Sequence, residues 1–343
     1  MNFKFKWIDN NGQPQGFLSK KGTFDGETLK LDDVELPVVV IVDVDFRTNF
    51  MFLSIAQVNA EPASCAFQVT SGKPEDIRAA LGVARSAVWA ELNRKSLEEK
   101  GEGHRFHSEK CRYCDATVDL TGHAPSPQVH CNFCHTISTL DEQRKGEKEF
   151  RLCDECGMYS KPRLFTIFYF YFLLVVYGWR SRQTWRCPGC MRGEAWKMLF
   201  GNLIFVLGVP VAMVQLFRAY GGTDIGGLYS GLDSANIKAR KGDLTGAIKD
   251  YRKILEKFPA SAGVKFNTGL ALLNQQNFEG AAKMFEASLA DCSNYTPAAR
   301  GLFACYDQLG WTEELADLKA EWGIEEQTDE LPAEQHQELL DNE

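Results

Sequence analysis

The sequence has no glycine-rich phosphate loop, no nucleophile with an evident base and no paired carboxylates in a credible setting, so it offers no catalytic residue and an enzyme is not expected. Its first thirty residues include Lys4, Lys6 and Asp9 and lack a continuous apolar region followed by a small-residue cleavage site, so no secretory signal is expected. A basic surplus is also missing. With 38 Lys and Arg against 46 Asp and Glu, a formal charge of -8 and a pI near 5.4, the chain lacks the net positive face that releases counterions when a protein coats nucleic acid.

What is present is the composition of folded protein, 44% hydrophobic and 24% charged over 343 residues, which is too long for one ordinary domain. Two or three modules are expected. Charge is unevenly placed. Residues 144 to 197 carry eleven Lys and Arg against five Asp and Glu, whereas nine acids lie from Glu321 onward in a segment with few large apolar residues. An acidic, disordered tail is expected over 324–343.

Residues 1 to 70 hold short alternating or β-branched runs at Phe3 to Ile8, Thr28 to Leu31, Leu36 to Val44, Asn49 to Ile55 and Cys65 to Val69, separated by Asn-Gly, Asp-Gly and Asp-Asp turns. From Lys73 the spacing turns helical, with Pro74 in the first turn and Ile77, Leu81, Ala84, Val88, Leu92 and Leu97 on one side. A small antiparallel sheet closed by a C-terminal helix resembles a pleckstrin-homology-like (PH-like) domain, and the run GTFDGETLKLDDVELPVVVIVDV is similar to the opening strands of bacterial members. Such domains often bind phosphoinositides through a basic first loop. Here that loop offers only Lys20 and Lys21, so the resemblance implies a protein contact instead.

Eight of the eleven cysteines form Cys-x-x-Cys pairs, Cys111/Cys114, Cys131/Cys134, Cys153/Cys156 and Cys187/Cys190. Each pair can supply two thiolates from one tight turn, and two such knuckles close a tetrahedral structural zinc site. The sixteen residues between the first two pairs suit a zinc ribbon at 108–137, and the last two pairs suggest a second ribbon at 150–193. Two structural Zn2+ ions are therefore expected. A thioredoxin-like redox site would use a single pair in a βαβ unit, and none is visible. His123, His130 and His135 lie near the first site as candidate outer-shell groups or surface residues. Cys65, Cys292 and Cys305 read as small buried apolar residues.

Two apolar runs follow. Residues 164 to 179, LFTIFYFYFLLVVYGW, are uncharged but short for a span and dense in β-formers, which favours a hairpin inserted in ribbon 2 with a membrane-facing surface. Only if this run returns to the side it left can Cys153 and Cys187 share a metal ion. Residues 198 to 217, MLFGNLIFVLGVPVAMVQLF, are flanked by Lys197 and Arg218 and long enough to cross a bilayer, or to enter and leave it at Gly208 and Pro210. The arrangement over 153–217 resembles a family of bacterial zinc-ribbon membrane proteins. That resemblance implies a membrane location, contact with lipid through 164–179 and 198–217, and zinc domains facing the cytosol, as the basic flank also suggests.

Aligning GDLTGAIKDYRKILEKFP at Gly242 with QNFEGAAKMFEASLADCS at Gln276 gives an offset of 34 residues, which puts Ala247 on Ala281 and Tyr251 on Phe285. A third, degenerate copy runs from Pro297 to Trp322. The pattern over 226–323 resembles tetratricopeptide repeats (TPR), which implies helical hairpins that bind a protein or peptide in a concave groove. Asn236 and Asn267 fall where peptide-carboxylate-binding members place asparagines, although Leu232 stands where those members have a lysine.

The expected fold class is thus multidomain α+β: an N-terminal antiparallel sheet plus helix over 1–100, two zinc ribbons, apolar membrane segments and C-terminal all-α TPR hairpins. The expected function is a membrane-anchored zinc-binding scaffold or adaptor that recruits a protein partner through its repeats. The alternative is a zinc-ribbon nucleic-acid or transcription-associated factor tethered to the membrane, suggested by Arg112, Tyr113, Arg180, Arg182 and Arg186.

Overall fold

A computed structural model describes residues 1–324 apart from 10–11, 48, 58–59, 141–145, 174–175, 204–207 and 222–226; the acidic tail lies outside the described residues from 325 onward. The N-terminal sheet consists of β1 (Asn2–Trp7), β2 (Lys20–Phe24), β3 (Thr28–Leu31), β4 (Val34–Pro37), β5 (Ile41–Arg47), β6 (Phe50–Gln57) and β7 (Ala60–Ser71). All neighbours are antiparallel, in the order β4-β3-β2-β1-β7-β6-β5. Alternation sets the faces: Phe3 and Phe5 are buried while Asn2 and Lys4 are exposed. Gly22 pairs with Phe3 across the sheet, and a Cβ there would fall 2.3 Å from the Phe3 ring, so a glycine lets the ring lie over the strand.

Helix α1 (Pro74–Glu99) closes this sheet with Ile77 and Leu81, which join a core containing Phe5, Leu29, Ile41, Met51 and Phe67. Its next turns face the first ribbon. The Ser86 hydroxyl accepts from the Thr117 backbone N–H at 2.8 Å, the Asn93 amide donates to Asp119 at 2.7 Å, and Gly82 lies close to Phe133. Leu92, expected on the buried side, is 42% exposed, because the helix outruns its sheet there.

The ribbons are built from short pairs: β8 (Ser108–Lys110) with β9 (Thr117–Asp119), β10 (Gln128–His130) with β11 (Ile137–Thr139), and β12 (Arg151–Leu152) with β13 (Tyr159–Ser160). Next comes a long hairpin of β14 (Arg163–Leu173) and β15 (Val176–Arg186), in register from Arg163↔Arg186 to Leu173↔Val176. It returns the chain to where it left, and α2 (Pro188–Asn202) and α3 (Val209–Tyr220) then fold back on β14.

The membrane segment expected over 198–217 is corrected here. Among the described residues no helix is long and apolar enough to cross a membrane. The run is divided between the end of α2 and the start of α3, helices of 15 and 12 residues, against roughly 20 needed for a span. Asn202 ends the first helix fully buried, donating to the Phe168 and Met198 carbonyls, and Pro210, which has no N–H to give, opens the second. The inward faces of β14, α2 and α3 bury one another: Phe165, Met191, Ala195, Met198, Ala212 and Ala219 form one cluster. One face of the apolar run therefore covers protein, while Phe200, Leu203, Val214 and Phe217 on the other are exposed. The expected membrane location and the membrane element of the fold class have no spanning helix beneath them.

The C-terminal third is a stack of hairpins, α4 (Leu232–Arg240) with α5 (Leu244–Lys257), α6 (Ala262–Leu273) with α7 (Phe278–Asp291), and α8 (Thr296–Leu309) with α9 (Thr312–Glu321). Both ends of α5 and α7 differ by the 34-residue period. Their N-caps Asp243 and Asn277 accept from the Gly246 and Gly280 amides, and their C-caps Phe258 and Cys292 share one backbone conformation, with φ of -140° and -146° and ψ of 80° and 87°. Small residues let the helices close up: a Cβ on Gly269 or Gly301 would meet the Phe285 ring at 2.6 or 2.7 Å.

Candidate metal centres and the groove that holds them

Three of the four cysteine knuckles share one backbone design. The first cysteine accepts a backbone bond from the residue four along, Asp115, His135 or Gly157, at 2.7 to 3.0 Å, and that residue adopts a left-handed conformation with φ of 60°, 61° or 67°. The turn aims both sulfurs to one side. The fourth knuckle differs: Pro188 and Gly189 begin α2, so Cys187 is the helix N-cap and Cys190 lies in the first turn.

Cys111, Cys114, Cys131 and Cys134 come together, as do Cys153, Cys156, Cys187 and Cys190, with all sulfurs of each group within 4.8 Å of one another. Cross-pair separations are 3.6 Å for Cys111–Cys134 and for Cys114–Cys131, and 3.8 Å for Cys156–Cys187. A tetrahedron of thiolates about 2.3 Å from a zinc ion has edges of about 3.8 Å, whereas a disulfide would need roughly 2.05 Å. The donor sets therefore fit a tetrahedral metal ion. Without a cation the thiols oppose one another. In the first group, bonds from Cys111 and its neighbours hold the Cys134 thiol far below its ordinary range and push the Cys131 thiol far above it. In the second, bonds from Cys156 and then Cys187 lower Cys153, while those from Cys153 and Cys156 raise Cys187. A divalent cation removes this conflict by holding four thiolates at once.

Outer groups brace the second centre. The Cys187 amide donates to the Cys153 sulfur at 3.3 Å, and the Arg240 guanidinium, from α4 of the repeat, donates to Cys190 at 2.9 Å. Asp154 and Trp185 exchange two bonds, fixing the third knuckle to β15, and Arg186 reaches Glu155 at 2.7 Å. The histidines have separate fates. His130 is 5% exposed, which depresses its imidazole to about 3; the ring sits edge-on to Tyr295 at 5.1 Å. Burial, then Arg78, lowers His135 to about 4. His123 stacks edge-on with Trp322 at 5.0 Å. Cys292 and Cys305 are buried, and Cys65 is half-buried with its thiol raised to about 11 by burial.

Asn236 and Asn267 do not line an open groove. Both are buried, and they hold the β13 strand of ribbon 2. Asn267 accepts from the Tyr159 amide and donates to the Tyr159 carbonyl, each at 2.7 Å, and Asn236 donates to the same carbonyl at 3.0 Å. The pair is tied by an Asn267-to-Asn236 bond at 2.9 Å and by Tyr251 at 2.8 Å. Asn294, which sequence reasoning missed, treats His130 of ribbon 1 alike, accepting its N–H at 2.9 Å and donating to its carbonyl at 2.8 Å. Gln128 accepts from the Ala262 amide at 3.0 Å. Gly263 makes room for the Tyr159 ring, which would meet a Cβ there at 2.3 Å. The repeat thus reads the backbone of the chain's own cysteine ribbons.

No family model matches this chain, and no curated protein matches it. Among solved structures, a point variant of MamA shares 18% identity over 36% of this chain and 65% of that chain, with a TM-score of 0.25. This chain thus spans just under two thirds of that protein. MamA MSR-1 shares 16% identity over 39% of this chain and 74% of that chain, TM-score 0.25, and MamA AMB-1 15% over 43% and 76%, TM-score 0.26.

Proposed function

We propose that this protein is a zinc-stabilised interaction scaffold, in which a TPR-like stack and two tetracysteine ribbons form one platform for a protein partner. The observation that carries the reading is the pair of asparagine clamps on Tyr159 and His130, which fasten both ribbons to the repeat through backbone bonds. Zinc is the metal that the four-thiolate sets suit best, in a structural role, since neither set leaves an open position for chemistry. The N-terminal sheet and helix, read as PH-like from their strand and helix pattern, would add a second contact surface. No enzymatic role belongs to this reading.

The partner does not enter between Asn236 and Asn267 while ribbon 2 is in place. It meets the outer faces of the platform instead. The test is retention: immobilised full-length protein captures a defined protein from lysate, and chelator-stripped protein, whose ribbons have lost their metal, does not. Equal retention by the stripped chain would refute a platform that depends on zinc.

A further inference from the structure

Two cavities open beside the metal centres, about 430 and 640 Å³ in volume, and they share Cys134, Arg151 and Trp185 in their common wall. The first lies between α1, β5 and ribbon 1, the second between ribbon 2, Lys148 and Arg218. Together they are lined by seven Lys and Arg against Asp43, Glu75 and Glu149. Several of these cations are already engaged. Arg85 is held by the Ile41 and Val42 carbonyls, and Lys161 by Glu149. Three are not. Among the described residues the Arg151 guanidinium has no hydrogen bond or ion pair and lies 3.7 Å over the Trp185 ring; Arg78 has only a long 3.5 Å contact to His135; and Lys148 makes none. Half-buried arginines with open donors are suited to carboxylates, which they bind through paired N–H groups.

The sequence carries a segment of the matching charge. Residues 325–343 hold eight Asp and Glu and no Lys or Arg. Removing those eight from the chain's 46 acids leaves 38, equal to its 38 Lys and Arg, so the whole formal charge of -8 resides in this segment. The chain approaches it beside ribbon 1, where Trp322 contacts His123, and Cys134 of that same ribbon lines both cavities. Nineteen residues extend to about 60 Å, ample to cross a domain of this size.

We propose that the Arg78–Arg151–Lys148 cleft is a carboxylate-binding site for an acidic peptide and that residues 325–343 of the same chain occupy it. Tethering sets an effective concentration on the order of mM, so even a modest intrinsic affinity keeps the cleft filled, and an outside acidic peptide must compete with the resident one. The site is independent of the scaffold reading, since it rests on the cleft and not on the groove.

The test uses a fluorescein-labelled synthetic peptide of residues 325–343 and full-length protein. In one version the eight acids of the segment are replaced by their amides. By fluorescence anisotropy at low salt, the amide version binds the peptide at least tenfold more tightly than wild type. Arg151→Glu or Lys148→Glu in the amide version weakens binding at least tenfold. Lys148 is exposed and is not a metal ligand, and metal content measured on each variant verifies that the ribbons are intact. No binding to the amide version, or equal binding to wild type and amide versions, overturns the proposal. So does displacement of the peptide by an oligothymidine of equal charge at lower concentration than by unlabelled peptide, which would assign the cleft to nucleic acid.

Discussion

Replacing Asn267 with alanine tests whether the repeat and ribbon 2 are one cooperative unit. The side chain makes three buried hydrogen bonds, two to the Tyr159 backbone and one to Asn236. Its loss leaves the Tyr159 N–H without its partner, which costs about 1–3 kcal/mol, and removes two further bonds worth about 0.5–1.5 kcal/mol each, offset where Asn236 still serves the same carbonyl. A net loss of about 2–4 kcal/mol is expected, a drop in Tm of roughly 5–10 °C. Stability is read by urea denaturation, following intrinsic fluorescence and metal release together. If the clamp acts through ribbon 2, the substitution costs at least about 1 kcal/mol less in a Cys187→Ser background, where that ribbon is already loosened. A strictly additive pair, or a single-variant cost below about 0.5 kcal/mol, would refute the coupling.

Metal analysis by mass spectrometry is expected to give two zinc ions per wild-type chain and one in Cys187→Ser, because β14 and β15 return Cys187 to Cys153. Gly263→Ala drives a methyl group into the Tyr159 ring and is expected to lower stability by about 1–3 kcal/mol, with Tyr159→Ala in the same chain recovering part of the packing strain. Arg240→Met removes the guanidinium bond to Cys190, so chelator-driven release of one of the two ions should speed up roughly tenfold while the other is unchanged. His130 is depressed from its ordinary 6.5 to about 3 by burial, so the unfolded chain binds the extra proton between those values. Its contribution is fully present above the unfolded value and is lost as pH falls below about 6.5, at up to roughly 1.4 kcal/mol per pH unit. His130→Phe should flatten that slope in stability measured from pH 7 to 5, while acid release of metal remains common to both proteins.

The cysteine knuckles and the repeat were legible because each is local. A Cys-x-x-Cys turn is complete within five residues, and a 34-residue period shows itself by self-comparison, as the matched caps Asp243 and Asn277 illustrate. The role of Asn236 and Asn267 was not legible, since their partner Tyr159 lies 77 and 108 residues away in a strand of two residues. Asn294 carried no signal for the same reason. The 198–217 run misled as a span because a hydropathy window sums both faces of an element, whereas 164–179, read as a hairpin, is one. Phe165 and Met198 are buried by one another's elements, and lipid would call for the same residues. A hint was available in Asn202, a polar residue inside the second run, which proves to be the point where the helix stops.

The long reach of the asparagine clamps has a consequence for the newborn chain. Asn294 follows His130 by 164 residues, so at 5–20 residues per second ribbon 1 waits roughly 10–30 s on the ribosome before its strand edge can be covered. Throughout that wait the outer edge of β10 presents unpaired backbone to other chains, and that of β13 does so for the shorter time until Asn236 and Asn267, 77 and 108 residues on, are made. The cysteines of each ribbon are all synthesised before the repeat begins, so a metal ion captured early would hold each knuckle pair closed until the helices arrive. Metal supply during translation would then decide whether these edges meet their own asparagines or another molecule.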